Sequence, residues 1–179
     1  MSNSVKILCR TAVLLALCIA SQFLKNLSVY LTGSIINAIL VIATLSCGFW
    51  SGIAISLVTP VTSWLITGSP LVSALPVMMP LIALSNAVLV VFTALARKKE
   101  KFWVLPLSLG VGSLAKGGFL WLTVVQWVLP ILGPGSGLPE KALLAAKTTF
   151  SLTQVITALI GSALALTVWH LAGKHLKAQ

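Results

Sequence analysis

The 179 residues carry twelve Lys and Arg against two Asp and Glu, a formal net charge of +10, yet 58% are hydrophobic, only 8% are charged and the mean hydropathy is +1.08. That apolar excess excludes a soluble globular domain and places the chain in a bilayer. No Asp, Glu, Lys or Arg occurs from Asn26 to Ala96, and one crossing takes roughly 20 residues, so this stretch alone holds about three passes of a single domain covering residues 1–179.

Residues 5–24 form the first predicted span. Lys6 and Arg10 ahead of a short apolar run, with Ala20 and Ser21 after it, resemble a cleaved signal. The length of the run and the membrane segments that follow favour a retained helix. LALC at 15–18 is not a lipidation signal, because Leu17 stands where a small residue would precede Cys18. Cys9, Cys18 and Cys47 lack CxxC spacing, and the first two fall on opposite faces of a helix, so the three read as thiols rather than metal ligands or disulfides. Further spans are predicted near 34–47, 50–67, 75–97, 103–131 and 142–174. Gly48 and Gly52 mark a tight turn between the second and third, while Pro70, Pro76 and Pro80 crowd the entry to the fourth. The remaining connections are 25–33, 68–74 and GPGSGLPEK at 133–141.

Basic residues orient the chain. Eight of the twelve fall in three groups: Lys6 and Arg10; Arg97, Lys98, Lys99 and Lys101; Lys174 and Lys177. The positive-inside rule puts all three in the cytoplasm, so an even number of crossings separates successive groups. Four fit between the first and second and two between the second and third. The predicted fold is therefore an all-α integral membrane protein of six transmembrane helices with both termini cytoplasmic. Anchoring at an anionic leaflet accounts for the net charge without nucleic acid. Three connections and several prolines then lie at the outer face, and irregular backbone at membrane depth survives only under protein cover or beside a cavity, which favours an outward pocket. No internal repeat of the kind found in many secondary transporters is visible.

Catalytic parts are missing. The only acids are Glu100 in a cytoplasmic loop and Glu140 in an outer one, His170 and His175 lie at the cytoplasmic end of the last span, and no GxxxxGK[ST] occurs. Proton-coupled transport, hydrolysis and ATP binding through a P-loop each lack their groups, and no metal site or catalytic residue is assigned. Lys116, in GSLAKGGFLW, is the exception among the charges because it falls mid-span. There an ammonium either meets an anionic ligand or is satisfied by neighbouring helices, and both readings fit. Gly110, Gly112, Gly117 and Gly118 around it suggest close helix contact under either. Asn86, Gln126, Trp127, Lys147, Ser151 and Gln154 fall in the outer halves of the last three spans, and with Lys116 they compose an apolar pocket's few polar groups. Interhelical hydrogen bonds explain any one of them equally well, as an aromatic belt explains Trp127, Trp103 and Trp169. Ala12, Ala16 and Ala20, one per turn of the first span, admit a close backbone, from within the bundle or from a partner.

The chain resembles the S components of the energy-coupling factor transporters for vitamins. The likeness rests on its length, six helices with both ends inside, the alanine motif at 12, 16 and 20, and the run GSIINAILVIATLSCGFWSGIAISLVTP…TGSP…LPVMMPLIALSN. It implies a multi-pass protein of a prokaryotic plasma membrane with no cofactor of its own. The alanine face would dock on a membrane coupling subunit driven by two cytoplasmic ATPases, which consume the ATP. The vitamin would bind on the outer side, capped by 25–33, 68–74 and 132–141 and lined by the outer halves of the last three helices, and the subunit would topple to release it inside. The central pattern is most similar to the branch associated with cobalamin. Pantothenate is the alternative, since Lys116 or Lys147 would pair with its carboxylate; riboflavin, folate, pyridoxine-type vitamins and nucleobase-like compounds stay open. An assembly subunit of another membrane complex would explain the alanines but leave the outer polar groups without a ligand. A small membrane enzyme would need an acid or base beyond Lys116.

Overall fold

The computed structural model describes residues 2–26, 28–99 and 101–177, excepting the side chains of Asn26 and of residues 173–177. Glu100 and the side chains of Lys174, His175 and Lys177, which enter the charge argument, lie outside the described residues. The described residues contain no strand. Among them, six segments are long and apolar enough to cross a membrane: Asn3–Lys25, Val29–Ser46, Phe49–Thr67, Met78–Arg97, Val104–Leu132 and Glu140–Ala172.

Local chemistry sets where each helix starts and stops. Helix α1 (Asn3–Gln22) begins at Ser2, whose Oγ accepts from the Val5 N–H, and ends in a 3₁₀ turn, Phe23–Asn26. Helix α2 (Val29–Ser46) starts five residues before the expected position. Ser28 caps it, its Oγ accepting from the Leu31 N–H at 3.2 Å. Gly33 is a packing glycine, not a loop residue, because a Cβ there would lie 3.0 Å from Thr157. The turn into α3 (Phe49–Thr67) rests on Gly48, whose φ of 110° is open to glycine. Gly52 stands inside α3 rather than in that turn, where a side chain would collide with Thr44 of α2 and Val90.

Beyond α3, the expected loop 68–74 is mostly a short helix, α4 (Pro70–Ala74), with its proline at the first helical position. Helix α5 (Met78–Arg97) follows, and Pro80 falls in its first turn, where a missing N–H breaks no intrahelical bond. Helix α6 (Val104–Leu120) runs through wider π-helical turns at Trp121–Val128 into α7 (Leu129–Leu132). In that stretch the Leu129 N–H bonds to the Val124 carbonyl five residues back, next to Pro130, which has no N–H to continue an α pattern.

The single helix expected over 142–174 is two helices, α8 (Glu140–Thr149) and α9 (Leu152–Lys177), broken at Phe150 and Ser151. Thr149 and Ser151 donate their hydroxyls to the carbonyls of Ala145 and Thr148, at 2.8 and 3.1 Å, offering the backbone an alternative to the helical ladder. Phe150 meanwhile turns into the core beside Leu75, Met78 and Val124.

Helix α2 is central, packing against α1, α3, α5 and α9, while α6 closes the bundle between α5 and α9. Of the spanning window of α2, 56% is buried, against 17% for α1, so α1 is a peripheral helix held along one edge. Its inward edge is Cys18, Ser21 and Gln22; Cys9 on the other face is exposed, and all three cysteines are free thiols. Trp103 is 58% exposed at the cytoplasmic end, whereas Trp169 packs partly against the core beside Ala165.

Close approach of α9 to α2 depends on Gly161, where a Cβ would lie 2.6 Å from the Asn37 Cβ and 2.9 Å from the Ala38 nitrogen. Backbone cannot yield as a flexible side chain can. Gly161→Ala is expected to destabilise the fold by about 1–3 kcal/mol, while Gly118→Ala, with open space around its Cβ, leaves stability unchanged or slightly raised. Thermal unfolding in detergent distinguishes them, and equal stability of the two variants would refute this account of the α2–α9 contact.

Candidate ligand-binding cavity

A cavity of about 390 Å³ lies at the end of the bundle remote from Lys6, Arg10 and Arg97. The positive-inside argument makes this the outer end. Its apolar wall includes Ile36 of α2, Pro60 and Trp64 of α3, Val72 of α4, Ile82 of α5 and Phe150. Helix α8 lies against it with Ala142, Ala145, Ala146 and Thr149, all small enough to leave space. Each of the three expected outer connections contributes wall residues, among them Lys25 and Val29, Ser69 and Pro70, and Leu138.

Lys116 is 2% exposed and reaches the cavity from α6. Its Nζ donates to the Oδ1 of Asn37 on α2 and, at 2.7 Å, to the Oδ1 of Asn86 on α5. One lysine thus ties together three helices. An ammonium has three hydrogens and no acceptor, so it turns both amide oxygens toward itself and leaves both amide NH₂ groups pointing away. A second lysine, Lys25, stands in the wall and donates to Ser63 Oγ at 3.0 Å. The one carboxylate among the described residues, Glu140, is exposed and outside the wall. Positive charge in this cavity is therefore met by neutral oxygens alone.

Behind the wall, α1 joins α2 and α3 through buried polar contacts. Gln22 Nε2 donates to the Thr59 carbonyl at 3.2 Å, Thr32 Oγ1 to the Ser21 carbonyl at 3.4 Å, and Cys18 Sγ lies 3.5 Å from Thr59 Oγ1. Gln22 Oε1 is buried with no hydrogen-bond partner.

Of the seven predicted pocket residues, Asn86, Lys116 and Gln154 come together in the cavity. Gln126 and Trp127 lie on the π-helical stretch, exposed and away from the wall; Trp127 is 66% exposed, as an interfacial belt residue would be. Lys147 faces outward from α8, and Ser151 sits at the α8–α9 break bonded to the Thr148 carbonyl. Among the glycines near Lys116, Gly112 and Gly117 pack against Phe92 and Val155, while Gly110 and Gly118 face open space. Ala12, Ala16 and Ala20 are exposed, so no helix of the bundle fills their groove.

Sequence reasoning missed Asn37, Lys25, Ser63 and Trp64. Asn37 had a signal in its position, an isolated amide deep in the uncharged run SIINAIL. Lys25 falls at the start of the expected connection 25–33, and nothing in the sequence pairs it with Ser63.

A sequence model of the family described as "ECF transporter, substrate-specific component" matches residues 6–172. No curated protein and no solved structure matches the chain.

Because Asn37 and Asn86 both serve one ammonium, their removal is expected to be non-additive. Asn37→Ala and Asn86→Ala should each destabilise the protein, with a coupling energy on the order of 1 kcal/mol between them in a double-mutant cycle. Thermal or denaturant unfolding supplies the measurement, and strictly additive losses would mean that Lys116 does not bridge the two amides.

Proposed function

The chain belongs to the ECF transporter substrate-specific component family, and on that premise we propose that its outer cavity captures a small water-soluble vitamin for delivery into the cell. Membership makes it a multi-pass membrane subunit, not itself catalytic, that works with a coupling subunit and ATPases. The observation that carries the ligand-capture reading is the cavity itself: about 390 Å³, mainly apolar in outline, with Lys116, Asn37, Asn86 and Gln154 converging on it. That size and that combination of apolar wall with a few placed polar groups are those of a small-molecule site.

Two vitamins compete. The run from Gly33 to Asn86 resembles the cobalamin branch, and a corrinoid, the bulkier of the two, would call for a wide mouth between α4 and α8. Pantothenate is a much smaller body, and the lysines at the cavity suit its carboxylate, which supports it as the alternative. An assembly subunit of another complex would need no such cavity.

The exposed stripe of Ala12, Ala16 and Ala20 is the proposed docking face for the coupling subunit, since small residues permit the close backbone approach on which association in lipid depends. Calorimetric titration with a vitamin panel, together with mass spectrometry of whatever copurifies, tests the capture reading; no bound or binding vitamin would favour the assembly role. Ala16→Trp is expected to abolish uptake by the assembled transporter while changing ligand affinity less than about threefold, because the side chain enters the partner's groove and not the cavity. Unimpaired uptake by the variant would move the docking face elsewhere.

A further inference from the structure

We infer that the ligand is a small organic monoanion whose carboxylate binds at the floor of the cavity against Lys116 and the amide groups of Asn37 and Asn86. This rests on the capture reading above and specifies its chemistry. The floor presents donors in excess. Lys116 spends two of its three N–H groups on the two amide oxygens, leaving one for the cavity. No acceptor among the described residues takes the NH₂ groups of Asn37 and Asn86, and both residues line the cavity. A cluster of N–H donors of this kind complements a group made only of acceptors, which is a carboxylate or a phosphate.

Charge decides between them. Lys116 lies mid-span with neutral dipoles around it and no carboxylate among the described residues to balance it. A buried ammonium without a counter-ion is unfavourable in the membrane. One negative charge balances it, whereas a phosphate dianion would bring two charges to a floor where Lys116 is the one cation among the described residues, Lys25 standing further out in the wall. A neutral ligand would leave the ammonium as it was, and a cation would be repelled. Lys25, at the outer part of the wall, adds a positive potential that draws an anion inward. The rest of the wall, Pro60, Trp64, Val72 and Phe150, is apolar and suits a short uncharged body attached to the acid.

The full-length protein in lipid nanodiscs is titrated calorimetrically with acid and neutral partners of the same body: pantothenate and pantothenol, biotin and biotinamide, nicotinate and nicotinamide. Pantothenate 4′-phosphate, riboflavin, cobalamin and thiamine complete the panel. One of the acids is expected to bind, its neutral partner at least about 30-fold more weakly. Lys116→Met should bring the acid's affinity to within a few-fold of its neutral partner's. Equal binding of acid and neutral partner, or tightest binding by the phosphate, riboflavin, cobalamin or thiamine, would overturn the monoanion assignment and leave the capture reading standing. No binding across the panel would overturn both. Should Lys116→Met not fold, the acid and neutral partners on the unaltered protein decide alone.

Discussion

One ammonium in a bilayer organises this protein. Lys116 is buried on α6, and its hydrogens reach the amide oxygens of Asn37 on the central helix and Asn86 on α5. In water such contacts would compete with solvent and contribute little; at membrane depth the alternative to each is an unsatisfied polar group. The same three side chains hold helices α2, α5 and α6 at fixed distances and form the floor of the outer cavity. The contacts that join these helices and the proposed ligand site therefore share one set of atoms.

The cavity exists because the elements around it are interrupted. Helix α8 separates from α9 at Phe150, α4 is only five residues long, and Pro60 interrupts the hydrogen-bond ladder of α3 at the wall itself. Each interruption leaves backbone polar groups that hydrocarbon could not accommodate, and each lies at the outer end or against the cavity. In the cytoplasmic half the described residues interrupt the helices at the turn of Cys47 and Gly48 and between α5 and α6. There the helices pack side by side through Ala38, Val41, Leu45, Leu89, Leu109 and Ala165.

Much of this architecture was legible from composition and charge. Six spans, their order and the single tight turn at Gly48 follow from hydropathy and from the three basic groups, because a bilayer admits few alternatives. Helix ends were less legible. Gly33 and the residues before it look like a loop, but tertiary contact with Thr157 and the Ser28 cap extend α2 through them. The α8–α9 break was invisible because apolar and small residues continue across it. Within the site, Lys116 and Asn86 stood out as polar groups in apolar spans, and Gln154 was found the same way. Gln126 and Trp127 met that criterion yet lie on the outward side of the π-helical stretch, since a widened turn shifts the facing of every residue along it. Asn37 was passed over because its span held no charge to draw attention to it, and its role comes from a lysine 79 positions away.

Helix α1 is held along a single edge, and its open side carries the alanine stripe from Ala12 to Ala20. The same rod, about 8 Å beyond Ala20, reaches Lys25 in the cavity wall, which donates to Ser63. One helix therefore carries both a face left open to the lipid and a residue of the cavity wall, so whatever grips that face holds the same rod that borders the chamber.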